Sequence, residues 1–459
     1  MKNMTLLNIV AACQGTYCGD NSLLDQEITG VAIDSRKAGA GFLFVPIKGA
    51  RVDGHTFIPQ VMEKGALATL SQEDLGETDY PYIRVASCEK ALQRLAAFYR
   101  NSLDIKVVGI TGSVGKTSTK EMIASVLSQK YHVLKTEGNY NNEIGLPLTI
   151  FNIREEHEVA VLEMGIDHFG EMHHLASMSQ PDICVITNIG LAHVENLGSR
   201  DGILQAKTEV FEHLKPGASV ILNGDDDKLS TITEVQGKKP IFFGMSDQHC
   251  AYADQIQNLG LKGTSCTLHL ADMDLQVHIP VPGNHMIYNA LAGACCGAAL
   301  GLTAEEITRG IETMKTIAGR TNLIETDSFL IIDDCYNANP VSMKSSLDVL
   351  AYGLGRTVAV MGDMFELGPK ERELHYNTGA YAAQKGIDVI CCIGDLSKDA
   401  YEGAKALAKD SAVLYFETRD DFLDKIKNVV RKGDTILVKA SNGMKFPAIV
   451  ECLKNMSLR

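Results

Sequence analysis

The sequence predicts an α/β protein of three domains: a small mixed N-terminal unit, a central parallel-sheet unit and a second α/β unit at the C-terminal end. Three observations carry that reading. The chain has 459 residues, too many for one hydrophobic core. A glycine-rich turn joins an apolar strand to a helix near residue 110. Strand and helix patterns then alternate in two separate runs, which calls for parallel sheets with helices on both faces. The expected boundaries are 1–86, 87–315 and 316–459.

Short strands and turns fill the first unit, with Val31–Arg36 and Gly41–Val45 reading as strands. A helix over Glu89–Tyr99 leads into the central unit. There, Val159–Glu163 is followed by a helix near Glu171, Ile183–Thr187 by a helix over Gly202–Leu214, and then comes strand Ser219–Leu222. Residues from about Pro240 to Val281 read as short antiparallel strands, inserted or appended. Helices over Asn284–Leu300 and Ala304–Met314 follow. The last unit shows strands at Leu330–Ile332, Thr357–Val360, Val389–Ile393 and Thr435–Val438 with helices between them, a Rossmann-like pattern.

The most informative segment is Val107–Ser118. An apolar strand runs into Thr111-Gly112-Ser113-Val114-Gly115-Lys116-Thr117-Ser118, and a helix is expected over Lys116–Gln129. Backbone N–H groups in such a turn point at phosphate oxygens, and the helix N-terminus favours anions. Lys116 would bridge β- and γ-phosphates, and the Thr117 hydroxyl would hold Mg²⁺. Ile110 stands where the commonest form of the motif has its first glycine, so the pattern here is Thr-Gly-x-x-Gly-Lys-Thr. This loop makes the central unit P-loop ATPase-like without fixing the chemistry.

Net charge is −14, which argues against a general binder of nucleic acid or anionic membrane. The twelve cysteines lack metal-site spacing and read as free thiols in a reducing compartment. Val10-Ala11-Ala12-Cys13 resembles a lipoprotein cleavage site, but the preceding segment is too weak for a secretory signal and reads as a first amphipathic helix. No stretch is long and apolar enough for a membrane span.

Other segments admit two readings. Glu163, closing a strand before Met164-Gly165, is either a solvent-facing strand end or a Mg²⁺ ligand at the sheet's carboxyl edge. His193, after Thr187-Asn188, is a structural histidine or a metal ligand. Lys207 on its amphipathic helix reads as surface charge. Asn139 and Asn142, in a run dense with amides that ends at Pro147, belong to a polar loop or to a substrate-orienting one. Pro340 suits the first position of a helix with Asn339 as its cap, which leaves Asp333, Asp334 and Tyr336 unexplained.

Together these segments resemble the Mur ligase superfamily of ATP-dependent amide ligases. They look most like the branch that adds D-alanyl-D-alanine to UDP-N-acetylmuramoyl-tripeptide. The resemblance spans nearly the whole chain. It rests on Asp34-Ser35-Arg36, Gly49-x-x-x-Asp53-Gly54-His55, the phosphate loop, Asn139–Pro147, Glu163-Met164-Gly165, Thr187-Asn188, His193 and Lys207. It continues through Pro282–His285 with Asn289-Ala290, Gly319-Arg320, Asp334–Pro340, Gly362-Asp363-Met364-x-Glu366-Leu367-Gly368 and Lys439-Ala440-Ser441.

The resemblance implies that Asp34, Ser35, Arg36, Asp53, Gly54 and His55 belong to a UDP-sugar-binding domain. Thr117 and Glu163 would hold one Mg²⁺, and His193 and Lys207 would serve a second, with Lys207 carbamylated as is typical of the family. Asn284 and Asn289 match adenine-side asparagines. Arg320 and Asp334 match residues that close over the nucleotide. Tyr336, Asn337 and Asn339 would meet substrate, and Asn337–Pro340 points to the D-alanyl-D-alanine branch over the tripeptide-forming one. Asp-Ser-Arg and Asp-Gly-His disfavour a folylpolyglutamate synthetase, and Glu163, His193 and Lys207 together disfavour a non-catalytic nucleotide switch. Lys439-Ala440-Ser441-Asn442 departs from the usual Lys-Gly-Ser-Arg and lacks its arginine. The implied partners are the two small-molecule substrates and ATP, for a cytoplasmic monomer.

Overall fold

The structure, a computed structural model, describes residues 1–49 and 51–458. Three sheets organise it. The first has five short strands, with Gly30–Ala32, Phe42–Phe44, Ala68–Ser71 and Tyr82–Arg84 parallel and Thr16–Cys18 antiparallel at one edge. The chain enters it through helix Leu6–Cys13, capped by Thr5 and burying Leu6, Ile9 and Cys13, as expected of an amphipathic first helix. The strand expected over Val31–Arg36 ends at Ala32 instead. Asp34 accepts from the backbone N–H of Arg36 at 2.9 Å, and such a side-chain-closed turn competes with strand pairing.

Helix Cys88–Asn101 joins this sheet to the central one. Its buried stripe, including Leu92, Leu95 and Tyr99, is part of one continuous core running from the first sheet to one face of the second. The central sheet has nine strands. Strand Lys106–Thr111 lies at its heart, flanked by Val159–Glu163 and Ile183–Ile186, all parallel. Ile110 pairs with Glu163 and Thr111 with Ile186, so three strand ends finish level at one edge.

The segment expected as antiparallel strands differs in part. Ile241–Gly244 and the start of Ala251–Asn258 extend the sheet in parallel, and only the pairings with Thr264–Leu270 and Met273–Ile279 are antiparallel. The helix expected over Gly202–Leu214 is Arg200–Thr208 followed by a 3₁₀ turn, Glu209–His213. The last sheet has six strands, including the expected Val389–Ile393 and two unforeseen edges, Asn322–Glu325 and Ala412–Phe416. None of the twelve cysteines is in a disulfide. Among the described residues, no helix is long and apolar enough to cross a membrane.

Candidate active site

The phosphate loop folds as its sequence requires. Gly115 has φ +84°, a conformation that costs an L side chain about 1 kcal/mol or more, and the helix Lys116–Leu127 starts directly after it. A Cβ on Gly112 would sit 1.9 Å from Thr187 Oγ1, so only glycine lets the loop close on the neighbouring strand end. That closure is bonded on both sides: Asn188 Oδ1 accepts from Val114 N at 2.9 Å, while Thr187 Oγ1 and Asn188 Nδ2 donate to Val114 O. Ser113 Oγ accepts from Gly190 N at 2.9 Å. Lys116 Nζ curls back to Gly112 O at 2.8 Å, and burial lowers its pKa.

Beside the loop, Glu163 is buried. Asn141 Nδ2 donates to its Oε1 at 2.8 Å, while Oε2 has no hydrogen-bond partner. Lys120 Nζ stands 3.8 Å from Oε2, and its short bond, 2.6 Å, goes to Thr136 O. An unsatisfied buried oxygen costs about 1–3 kcal/mol. A hard cation between Glu163 and the Thr117 hydroxyl would remove that cost, and all-oxygen donors suit Mg²⁺. The residues present therefore fit the ion.

His193 has φ +61° and holds its Nδ1 3.2 Å from Asp167 and 3.0 Å from Glu366, which reaches across from the last domain. Burial lowers its pKa. Lys207 is buried, at 1 % exposure, against the reading of surface charge. Burial first, and the nearby Lys116 second, hold its pKa well below the usual lysine range. A lysine amine, when deprotonated, is a nucleophile that can take up CO₂.

The C-terminal domain closes the other side. Arg320 donates from Nη2 to Thr117 Oγ1 at 3.3 Å and lies 4.1 Å over the Tyr336 ring. Asp334 is fully engaged: Lys439 Nζ donates to Oδ2 at 2.6 Å, Ser346 Oγ donates at 2.5 Å, and Thr321 N donates to Oδ1 at 3.0 Å. Asn339 caps helix Pro340–Leu350, as the sequence indicated, and the structure adds a reciprocal bond with Ser342.

These parts border a cavity of about 460 Å³, lined among others by Lys116, Thr117, Asn139, Asn142, Glu163, His193, Tyr336, Asn337 and Asn339. Val114, Gly115 and Arg320 also border a second cavity, of about 240 Å³, which holds Ser118, Asn289 and Asp334. Asn289 Oδ1 accepts from Thr119 Oγ1 at 2.9 Å. Asn284 lies in a separate groove with Ser345 and Tyr352. Asp34, Ser35, Arg36, Asp53, Gly54 and His55 remain on the first sheet and border neither cavity. Arg36 holds the Asp34 carboxyl down to about 2, and Asp53 accepts from His55 N to cap a 3₁₀ turn. Sequence reasoning missed Asn141, Asp167 and Lys120. Asn141 stood in a run of equivalent amides, and Lys120, four residues beyond Lys116, carried only a helical-spacing signal.

Comparison with known proteins places the chain in a family. Residues 110–297 match the Mur ligase middle domain, 319–442 the Mur ligase glutamate ligase domain, and 27–100 the Mur ligase family catalytic domain. The chain belongs to the Mur ligase family. Within it, the chain is 39 % identical to the UDP-N-acetylmuramoyl-tripeptide--D-alanyl-D-alanine ligase of Bacillus subtilis, over 99 % of both chains. Among solved structures it is similar to MurF from Acinetobacter baumannii, at 33 % identity and TM-score 0.90, covering 98 % of this chain and 99 % of that one. It is also similar to MurF ligase from Thermotoga maritima in complex with ADP, at 29 % identity and TM-score 0.81, covering 93 % and 97 %.

Proposed function

We propose that this chain joins D-alanyl-D-alanine to UDP-N-acetylmuramoyl-tripeptide in an ATP-dependent amide ligation of peptidoglycan precursor synthesis. The observation that carries the reading is the single cavity where the phosphate loop, the half-satisfied Glu163 carboxylate, His193 and the segment 336–339 of the last domain meet. Full-length similarity to enzymes of that name supports the substrate assignment.

The tripeptide's terminal carboxylate attacks the γ-phosphorus of ATP, and the bond to the ADP oxygen breaks. The loop N–H groups and Lys116 orient the phosphates and take up charge as it moves onto ADP. The acyl phosphate is then attacked by the free amine of the dipeptide. The tetrahedral adduct expels phosphate and loses a proton, leaving the amide. Arg320 and Tyr336 cover the loop and keep water from the acyl phosphate.

Thr117 and Glu163 would hold one Mg²⁺, and His193 with a carbamylated Lys207 a second; when bound, these ions neutralise phosphate charge. Asn289 and Asp334 border the nucleoside side, with Asn284 further out. Asn139, Asn142, Asn337 and Asn339 face the peptide substrates, and the unit 1–86, with Asp34–Arg36 and Asp53–His55, takes the UDP end. The enzyme works as a cytoplasmic monomer.

The test is phosphate release with ATP, Mg²⁺ and UDP-N-acetylmuramoyl-tripeptide, with and without D-alanyl-D-alanine. Turnover that requires the dipeptide, with a product heavier by one dipeptide less water, is the expected result. Turnover with a single amino acid and none with the dipeptide would overturn the substrate assignment.

A further inference from the structure

A histidine–carboxylate cluster lies outside the ligation cavity, on the surface. His173 sits on helix Glu171–Ser179, and Glu212 and His213 on the 3₁₀ turn Glu209–His213. The three residues offer one ligand atom each, all within 4.8 Å of one another. His173 Nδ1 is 2.6 Å from Glu212 Oε2, and His213 Nε2 is 3.4 Å from His173 Nε2. A tetrahedral zinc ion with Zn–N bonds of about 2.0–2.1 Å spaces its ligand atoms about 3.3 Å apart, close to that imidazole separation.

The scaffold beneath the cluster is formed by other groups. Both oxygens of Glu209 accept from Gly170 N at 3.0 Å, and one also accepts from His173 N at 3.3 Å. The turn is thereby fixed on the helix start, which keeps the three ligand atoms within 4.8 Å of one another. His174 is turned aside, its Nδ1 2.5 Å from Glu143.

We propose that His173, Glu212 and His213 form a binding site for a zinc-class divalent cation, separate from the ligation centre, that staples the turn Glu209–His213 to the helix Glu171–Ser179. Two imidazoles with one carboxylate, open to water on the remaining side, are a donor set for zinc. Mg²⁺ prefers oxygen and keeps its waters. Glu212 supplies the negative charge that neutralises the ion. The stapled elements have a place in the enzyme: the turn continues the helix that carries Lys207, and the helix follows the segment that carries Asp167.

The experiment uses the full chain, stripped of metal by chelation and dialysis, and titrated with Zn²⁺ against a chromophoric zinc chelator in excess Mg²⁺. The wild-type protein is expected to bind one more Zn²⁺ than the His173→Ala/His213→Ala variant and to gain melting temperature that the variant does not. Glu212→Gln should weaken this site about tenfold or more, while His174→Ala leaves it unchanged. Equal stoichiometry and affinity in wild type and double variant, or displacement of the extra Zn²⁺ by Mg²⁺, would overturn the proposal.

Discussion

Asn141 holds one oxygen of Glu163 at 2.8 Å and leaves the other with no hydrogen-bond partner. The amide orients the carboxylate so that its free oxygen is available to a cation. Asn141→Ala should therefore raise the Mg²⁺ concentration for half-maximal ligation about 10- to 100-fold, with a smaller change in ATP affinity. Glu163→Gln should lose more, mainly in kcat. A Mg²⁺ titration of both variants decides; an unshifted midpoint in Asn141→Ala removes its orienting role.

Lys207 is the only charged-type side chain on its helix that the structure buries. After equilibration with carbon-13 bicarbonate, the wild-type protein should show a carbamate resonance that Lys207→Ala lacks, and the same variant should fail to ligate. Identical spectra from the two proteins would show that the amine stays unmodified.

The Asp334–Lys439 pair is buried, so removing one partner strands the other charge. Asp334→Ala should cost about 3–5 kcal/mol in urea unfolding, far above the roughly 0.5 kcal/mol of an ordinary surface change. Ligation should fall too, since Thr321 loses its anchor. A stability change at the surface-residue level would refute the pairing's importance.

Thiol reactivity follows burial. Burial pushes Cys13, Cys184 and Cys391 up to about 12, whereas Cys250 is exposed and Cys18 and Cys452 are half-buried. Native protein treated with an aromatic disulfide reagent should lose Cys250 first, and Cys250→Ser should abolish that fast phase. Cys18 and Cys452 should follow more slowly, and the nine buried thiols should react only on denaturation.

The phosphate loop was legible in the sequence because its determinants are local: a strand, two glycines at fixed offsets and a helix start. The cap at Asn339 was legible for the same reason. Lys207 was not, since a lysine on an amphipathic helix reads as solvent-facing and its burial beside Ile203 and Ala206 arises only in the packed fold. Asp167 and Glu366 meet at His193 only through tertiary packing of two domains. Ala412–Phe416 escaped notice as a half-exposed edge strand without clean alternation. The strand expected through Arg36 failed because one aspartate side chain closed a turn.

The Asp333–Asp334 pair also fixes where the chain can bend. Gly319 N donates to Asp333 at 2.8 Å and Thr321 N to Asp334 at 3.0 Å, so Arg320 is clamped on both sides to the last sheet. A pivot between the central and last domains would have to lie upstream of Gly319. Were the two domains to part there, Arg320 would leave with the last sheet and take its positive charge away from Thr117. The positive charge beside Thr117 is therefore a property of the contact between two domains, not of the phosphate loop by itself.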